Sequence, residues 1–384
     1  MKTKKLYYDD AYITKFEATV LSCEQSTDGY LVILDRTAFF PEEGGQYADR
    51  GMIGGIKVTD AKERDGVIIH KATSPIDVGA IVDCEINFDE RYEKMQCHTG
   101  EHIVSGIVRE RFGFNNVGFH LGYDDVTIDY DGVITDDELH EIELEANRAI
   151  YKNIEVKCEF PSDEILKSLD YRSKLELTEN IRIVTIDGYD VCACCAPHVK
   201  RTGEVGIIKF LDKISYKGGV RIHMLCGFRA LADYNARYIA TKNISSLLSV
   251  KQDNVISGVE RVLSETESLK AQLSAIKRNI LAEKISELRE TPENIIVFEE
   301  ILDAGYMREF INNAVKYTTG FAGAFIKKDA ESYTYIIGSK TIDLKVISES
   351  LKASLGARGG GSSEMITGNV SKSKEEILEF INKK

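Results

Sequence analysis

The sequence predicts an α+β protein with a small N-terminal β-barrel, an α/β domain, a helical hairpin or coiled coil, and a C-terminal α/β Gly-rich domain. Three observations carry this. Short β-branched segments between turn residues recur at roughly ten-residue spacing up to about residue 90. Helical patterning then alternates with strands to about residue 240. Apolar residues next follow steps of four and three, before a second α/β pattern after Pro292.

In the first segment, 1–90, the strands are expected at Ala18–Leu21, Tyr30–Leu34, Gly66–His70 and Ala80–Ile86, which suits a small barrel or sandwich interrupted by the loop Pro41–Gln46. Segment 91–240 opens with a helix over Asp89–Phe112 that carries Met95, His98, Thr99, His102 and Ile103 near one face. Further helices are expected at 137–151 and 163–169, and strands near Ile154–Phe160, Ile181–Ile186 and Gly206–Ile214. In segment 245–290, Val255, Val259, Val262, Thr266, Leu269, Leu273, Ile276 and Ile280 form an a/d seam. A hairpin or coiled coil is expected there, the alternative being one long core-packed helix. Segment 291–384 should place strands at Asn294–Phe298 and Tyr333–Gly338, helices at Met307–Thr318 and Asp343–Leu355, a mobile Gly-rich loop at Gly356–Ser363, and a closing helix at 374–382.

A length of 384 residues with 43% hydrophobic content predicts two to three domains with an ordinary core. No apolar run approaches the ~20 residues of a membrane helix, and the N-terminus lacks the pattern of a secretory signal, so a cytoplasmic location is the expectation. Net charge is −13, so any contact with nucleic acid must come from local basic patches. Eight cysteines are too few for a disulfide framework at this length, and Cys192, Cys194 and Cys195 fall within four residues. Such a cluster reads as metal-binding or reactive.

The chemistry concentrates in two places. His98-Thr-Gly-Glu-His102 puts two imidazoles one helical turn apart, close enough to share a metal. Cys194-Cys-Ala-Pro-His198 supplies a thiolate and an imidazole from a tight loop. Together they form a borderline-soft set that suits Zn²⁺. Cys195 competes with Cys194 as the ligand, and Cys192 ends a strand. Glu101 lies between the helical histidines and reads either as a general base or as a solvated helix residue. Gly44-Gly45-Gln46 offers backbone freedom, close approach to a ligand and an amide, and Thr37 could project a hydroxyl towards the same place.

Read together, these motifs resemble the editing module of alanyl-tRNA synthetase and its free-standing AlaX relatives. Residues 34–51, Leu-Asp-Arg-Thr-Ala-Phe-Phe-Pro-Glu-Glu-Gly-Gly-Gln-Tyr-Ala-Asp-Arg-Gly, look like the family's Thr-x-Phe-x-Pro/Ala…Gly-Gly-Gln…Asp-x-Gly signature. His98-Thr-Gly-Glu-His102 matches its His-x3-His, and Cys194 to Gly206 matches its Cys-x3-His-Val-x-x-Thr-Gly-Glu-x-Gly. Arg221-Ile…Cys226-Gly-Phe-Arg-Ala230 is similar to the element that follows, and 291–384 resembles the DHH-associated C-terminal domain, with Gly359 and Gly360 in its Gly-rich segment. One departure stands out: the family's Gly-Gly-Thr between Cys and His is here Cys195-Ala196-Pro197, which bears on fine substrate selectivity.

The resemblance implies zinc on His98, His102, Cys194 and His198, and it favours Cys194 over Cys195. It implies hydrolysis of the ester joining a wrong amino acid, chiefly serine, to the 3′ end of tRNA(Ala). With the barrel beginning near residue 5, no synthetase core is expected upstream, so action in trans is expected. Thr37 would bind the serine hydroxyl, Gln46 would line the pocket, and substrate contacts would come from Gly44, Gly45, Arg221, Gly359 and Gly360. Lys200, Arg201 and the Lys372/Lys374 region would meet phosphates, and a homodimer through the coiled coil or the C-terminal domain is expected. The alternatives are a non-catalytic tRNA-binding protein with a structural zinc and a hydrolase of another aminoacyl substrate such as Gly-tRNA.

Overall fold

The computed structural model describes residues 2–122, 126–173, 181–329 and 331–383. They form two compact units, Met1–Thr241 and Lys242–Lys384. In the first unit, six strands close into a barrel in the order Lys15–Ser26, Gly29–Leu34, Val67–Ala72, Ile56–Arg64, Gly51–Ile53 and Ile81–Ile86. The two-residue period of a strand puts Ile68, His70 and Ala72 into the barrel core with Val20, Val32, Leu34, Phe39 and Phe40.

His70 is a polar group in that core, and its partners explain why it is tolerated. Its Nδ1 lies 3.1 Å from the Val32 carbonyl, to which only a protonated nitrogen can donate. Nε2 then accepts from the Thr37 hydroxyl at 2.9 Å, and Thr37 Oγ1 in turn accepts from the Phe39 N–H at 3.1 Å. Thr37 is fully buried, and these bonds leave its oxygen one lone pair.

Helix Phe88–Phe112 follows, capped by Asn87, which accepts from the Glu90 N–H, and ended by Gly113 at φ 70°. Nearly all of Arg91–Val108 is buried although the helix is rich in polar residues. Two glycines allow this depth. A Cβ on Gly106 would come within 2.1 Å of the Tyr189 carbonyl oxygen, and one on Gly100 within 2.5 Å of Cys226 Sγ. Two further sheets surround the helix. One orders Ile208–Tyr216, Gly219–Cys226, Val126–Tyr130 and Asn116–Leu121, and the other Val156–Glu159, Ile183–Ile186 and Asp190–Ala193.

The barrel is tied to this helix by a buried ionic cluster. Arg91 Nε donates to Asp49 Oδ2 at 2.9 Å and Lys94 Nζ to Asp49 Oδ1 at 3.2 Å. Arg91 also donates to the carbonyls of Ala11 and Ala38, and Lys94 to that of Ala48. Burial alone would favour a neutral Asp49, but the Arg91 and Lys94 charges outweigh it and hold the carboxyl below its ordinary range.

In the second unit a five-stranded mixed sheet orders Ile295–Glu299, Ala322–Asp329, Ser332–Gly338, Met365–Val370 and Arg358–Gly361, with helices Ala304–Ala314, Leu344–Leu355 and Lys374–Ile381. The segment expected as a mobile Gly-rich loop is in part this edge strand. Gly359 pairs with Gly368, and a Cβ at either would meet the Tyr335 hydroxyl within 2.8 Å, so glycine lets both strands lie close over one aromatic side chain. The heptad seam lies on one continuous helix, Val255–Ser286. Val259, Val262, Leu269, Leu273 and Ile276 are exposed on it, while Leu281 and Ile280 pack into the core beside helix Ala304–Ala314.

Burial pushes the His70 imidazole down to about 4, the Val32 carbonyl offsetting this only in part. An unfolded chain takes up that proton near pH 6.5, so barrel stability should fall between pH 6.5 and 4 by up to about 3 kcal/mol. Thermal unfolding of a His70→Gln variant, whose side chain does not titrate there, should show a shallower pH slope than the unaltered chain.

Candidate metal centre

His98 and His102 project from the buried helix with ring centroids 5.6 Å apart. The loop leaving strand Asp190–Ala193 brings Cys194 and His198 to them. Arg182 shapes that loop: its guanidinium donates to the carbonyls of Cys194 at 3.0 Å and Ala196 at 2.8 Å, while its own carbonyl accepts from the Cys194 N–H at 3.0 Å. One donor atom from each of the four residues falls within 4.8 Å of the others. Cys194 Sγ lies 3.4 Å from His98 Nε2 and 3.5 Å from His198 Nε2.

The far nitrogen of every imidazole is occupied. His98 Nδ1 lies 3.1 Å from Gln46 Oε1, His198 Nδ1 lies 3.0 Å from Thr99 Oγ1, and His102 Nδ1 lies 2.8 Å from Asp190 Oδ2. Asp190 is itself gripped at both oxygens by Arg172, at 2.7 and 2.8 Å. Partners of this kind fix ring orientation and leave the Nε2 atoms directed at a shared point, the outer-shell pattern of metal-binding histidines. Three imidazoles and one thiolate, preorganised and mostly buried, make a set that a borderline metal ion fits.

The electrostatics divide the set: the Cys194 thiolate and a neutral His198 are ready to ligate, whereas His102 must first lose a proton. Burial opposes ionisation of Cys194, but the three imidazoles around it outweigh burial and hold the thiol well below its ordinary range. Burial lowers His102, yet Asp190 and Cys194 together lift it to about 10. Burial pushes His198 down to about 3, keeping it neutral and fit to ligate. A second cluster, His102, Asp190 and Cys192, shares one histidine with the first. Its carboxylate is already spent on Arg172 and His102, so the first set is the better metal site.

The other expected residues divide. Gly44 and Gly45 adopt φ 64° and 80° in a two-residue turn, and a Cβ on Gly45 would come within 2.3 Å of the Phe119 carbonyl oxygen. Gln46 is buried behind this turn, with its Oε1 on His98 and its Nε2 without a partner among the described residues. Glu101 is not a solvated helix residue: it is 2% exposed, accepts from Ser105 Oγ at 2.6 Å and from Asn116, and lies 3.7 Å from His102 Nε2. The helix is covered on that side by strand Asn116–Leu121, which helical periodicity does not reveal.

Thr37 sits in the barrel with His70, as described above. Arg221 forms a two-point ion pair with Asp129, at 2.6 and 2.7 Å, and stacks over Tyr216. Lys200 lies 3.3 Å from Asp10 and over the Tyr12 ring, and Arg201 donates to the Asn153 carbonyl. In the second unit Gly359 and Gly360 lie on the exposed edge strand. Cys195 stands beside the turn, where a Cβ on Gly44 would be 3.6 Å from its sulfur. Asp190, Arg172 and Arg182 escape the sequence reading, because nothing in their spacing shows that a folded chain turns them onto the ligands, whereas Thr99 is legible on the histidine face but not as the partner of His198.

Two family patterns fall on this architecture: tRNA synthetases class II (A) over residues 2–90, the barrel, and the threonyl and alanyl tRNA synthetase second additional domain over 181–223, which carries Cys194 and His198. In these two regions the chain is therefore similar to domains of class II tRNA synthetases. The chain also resembles the long AlaX type: it is 29% identical to the alanyl-tRNA editing protein AlaX-L of Pyrococcus horikoshii over 98% of this chain and 96% of that one. It is 33% identical to the alanine–tRNA ligase of Halobacterium salinarum over 74% of this chain, and 29% identical to that of Pyrococcus abyssi over 99% of it. The chain spans only 32% and 43% of those two ligases. Among the described residues no helix is long and apolar enough to cross a membrane.

Replacing Asp190 by Asn should weaken metal binding roughly 10- to 100-fold, because His102 loses the carboxylate that orients it. Competition with a chromophoric chelator measures this. Thr99→Val, which frees only His198, should do so without unpairing Arg172.

Proposed function

We propose that the chain is an aminoacyl-tRNA hydrolase that cleaves the ester joining a wrong amino acid, chiefly serine, to the 3′ end of tRNA(Ala). The observation that carries this reading is the preorganised His98, His102, Cys194, His198 set in a chain similar to AlaX-L along nearly the whole of both proteins. Those four residues would hold Zn²⁺. A bound zinc supplies Lewis acidity and a fixed point for the polar groups of the substrate.

The remaining residues have roles their bonds support. Gln46 orients His98 through Oε1 and retains an amide N–H₂ for a substrate oxygen. Glu101, buried beside His102, is the base candidate. A site that hydrogen-bonds a hydroxyl discriminates well against a substrate lacking one. Thr37 is the candidate for that bond: with its proton given to His70, it would accept from the serine hydroxyl. The second unit would hold the tRNA body, and two copies would associate through the exposed seam of Val255–Ser286.

Ser-tRNA(Ala) should be deacylated much faster than Ala-tRNA(Ala), and a strong chelator should abolish the reaction until zinc is restored. No Ser-tRNA hydrolysis by the zinc-loaded chain would overturn the proposal. Thr37→Val should lower the Ser-to-Ala rate ratio about tenfold, and an unchanged ratio would remove Thr37 from the role. Sedimentation should give the mass of a dimer, lost when Leu269 and Leu273 are replaced by Glu.

A further inference from the structure

Glu43 opens the turn that carries Gln46. Its N–H donates to the Gln46 carbonyl at 3.1 Å and its carbonyl accepts from the Gln46 N–H at 3.0 Å. Directly opposed residues of an antiparallel pair project their side chains to the same side. The Glu43 carboxylate therefore shares a face with the amide that holds His98. The Cys195 sulfur stands beside this turn, 3.6 Å from where a Cβ on Gly44 would lie, and the carboxylate feels the charge of Cys194. Residue 43 is exposed, whereas Gln46, His98 and His102 are buried, which puts this carboxylate at the mouth of the site.

The other acids of the centre are committed. Glu101 accepts from Ser105 and Asn116, and Asp190 is shared by Arg172 and His102. Glu43 has no ion pair among the described residues, its neighbour Lys5 being paired with Glu63 at 2.8 Å. An aminoacyl ester carries an α-ammonium group two bonds from its carbonyl carbon. A bound dication, only half offset by the Cys194 thiolate, would repel that ammonium unless a further anion faced it.

We propose that Glu43 binds the α-ammonium group of the aminoacyl substrate and so selects free aminoacyl esters over N-blocked ones. This rests on the hydrolase reading above for its substrate.

The test uses the zinc-loaded full chain and a non-hydrolysable probe, 3′-amide-linked seryl-adenosine, beside its N-acetyl derivative. Glu43→Gln should weaken binding of the free-amine probe about tenfold, the loss of one charge-assisted hydrogen bond, and leave the N-acetyl probe within about twofold. Glu43→Asp should recover part of the loss. Unchanged binding of the free-amine probe, or equal weakening of both, would overturn the proposal, provided that zinc content shows the variant is folded. If the unaltered chain fails to hydrolyse Ser-tRNA yet its amine preference vanishes in Glu43→Gln, the ammonium site stands and the hydrolase reading falls.

Discussion

The centre depends on Asp49 buried between Arg91 and Lys94. Two cations and a carboxylate in a dry interior are costly unless each finds partners. Here the carboxylate takes both cations, and the carbonyls of Ala11, Ala38, Tyr47 and Ala48 accept further N–H bonds from them. Asp49 lies three residues after Gln46, and Lys94 four before His98. The ionic cluster therefore sets the barrel loop against the histidine helix, and the bond from Gln46 to His98 can form. Removing one partner of such a cluster costs about 3–5 kcal/mol, because an unpaired charge stays buried.

The same accounting runs through the helix that bears His98 and His102. A helix buried on nearly all sides normally reads as apolar, and this one does not. Its buried polar side chains reach partners on other elements: Gln96 Nε2 reaches the Glu204 carbonyl, Thr99 holds His198, Glu101 takes Asn116, and Ser105 lies 2.9 Å from the Tyr130 hydroxyl. Charge alternates outward from the thiolate, from Cys194 to His102, then Asp190, then Arg172. Such an order keeps the Cys194 thiolate ionised by pairing it with a protonated His102, which must release its Nε2 proton when a metal binds. The glycines at 100 and 106 make the arrangement affordable in space, since any side chain there would push the helix off its neighbours.

The mouth of the site combines two sources of backbone freedom. Gly44 and Gly45 take the left-handed conformations a two-residue hairpin needs, and Gly45 also lets the turn press against Phe119. Opposite them the 194–198 segment is stiffened by Pro197 and by two bonds from Arg182. Of the departure at Cys195-Ala196-Pro197, only Cys195 stands beside the turn, while Ala196 packs into the barrel core and Pro197 is buried.

Several features were legible from residue order alone because their physics is local. Short β-branched segments between turn residues marked the barrel strands, the i, i+4 spacing set His98 and His102 on one face, and the close Cys194–His198 pair announced a second ligand source. What the order of residues could not supply was everything that depends on approach between distant segments. Glu101 looked solvated until strand Asn116–Leu121 covered it, and the Gly356–Ser363 loop became partly strand only because Gly368 and Tyr335 met it. Arg172 and Asp190 are 18 residues apart, and Asp190 and His102 are 88 apart. Local sequence thus determined which groups could bind a metal. The tertiary fold alone decided which atoms of those groups face it, because the partners that turn each imidazole come from other strands and loops.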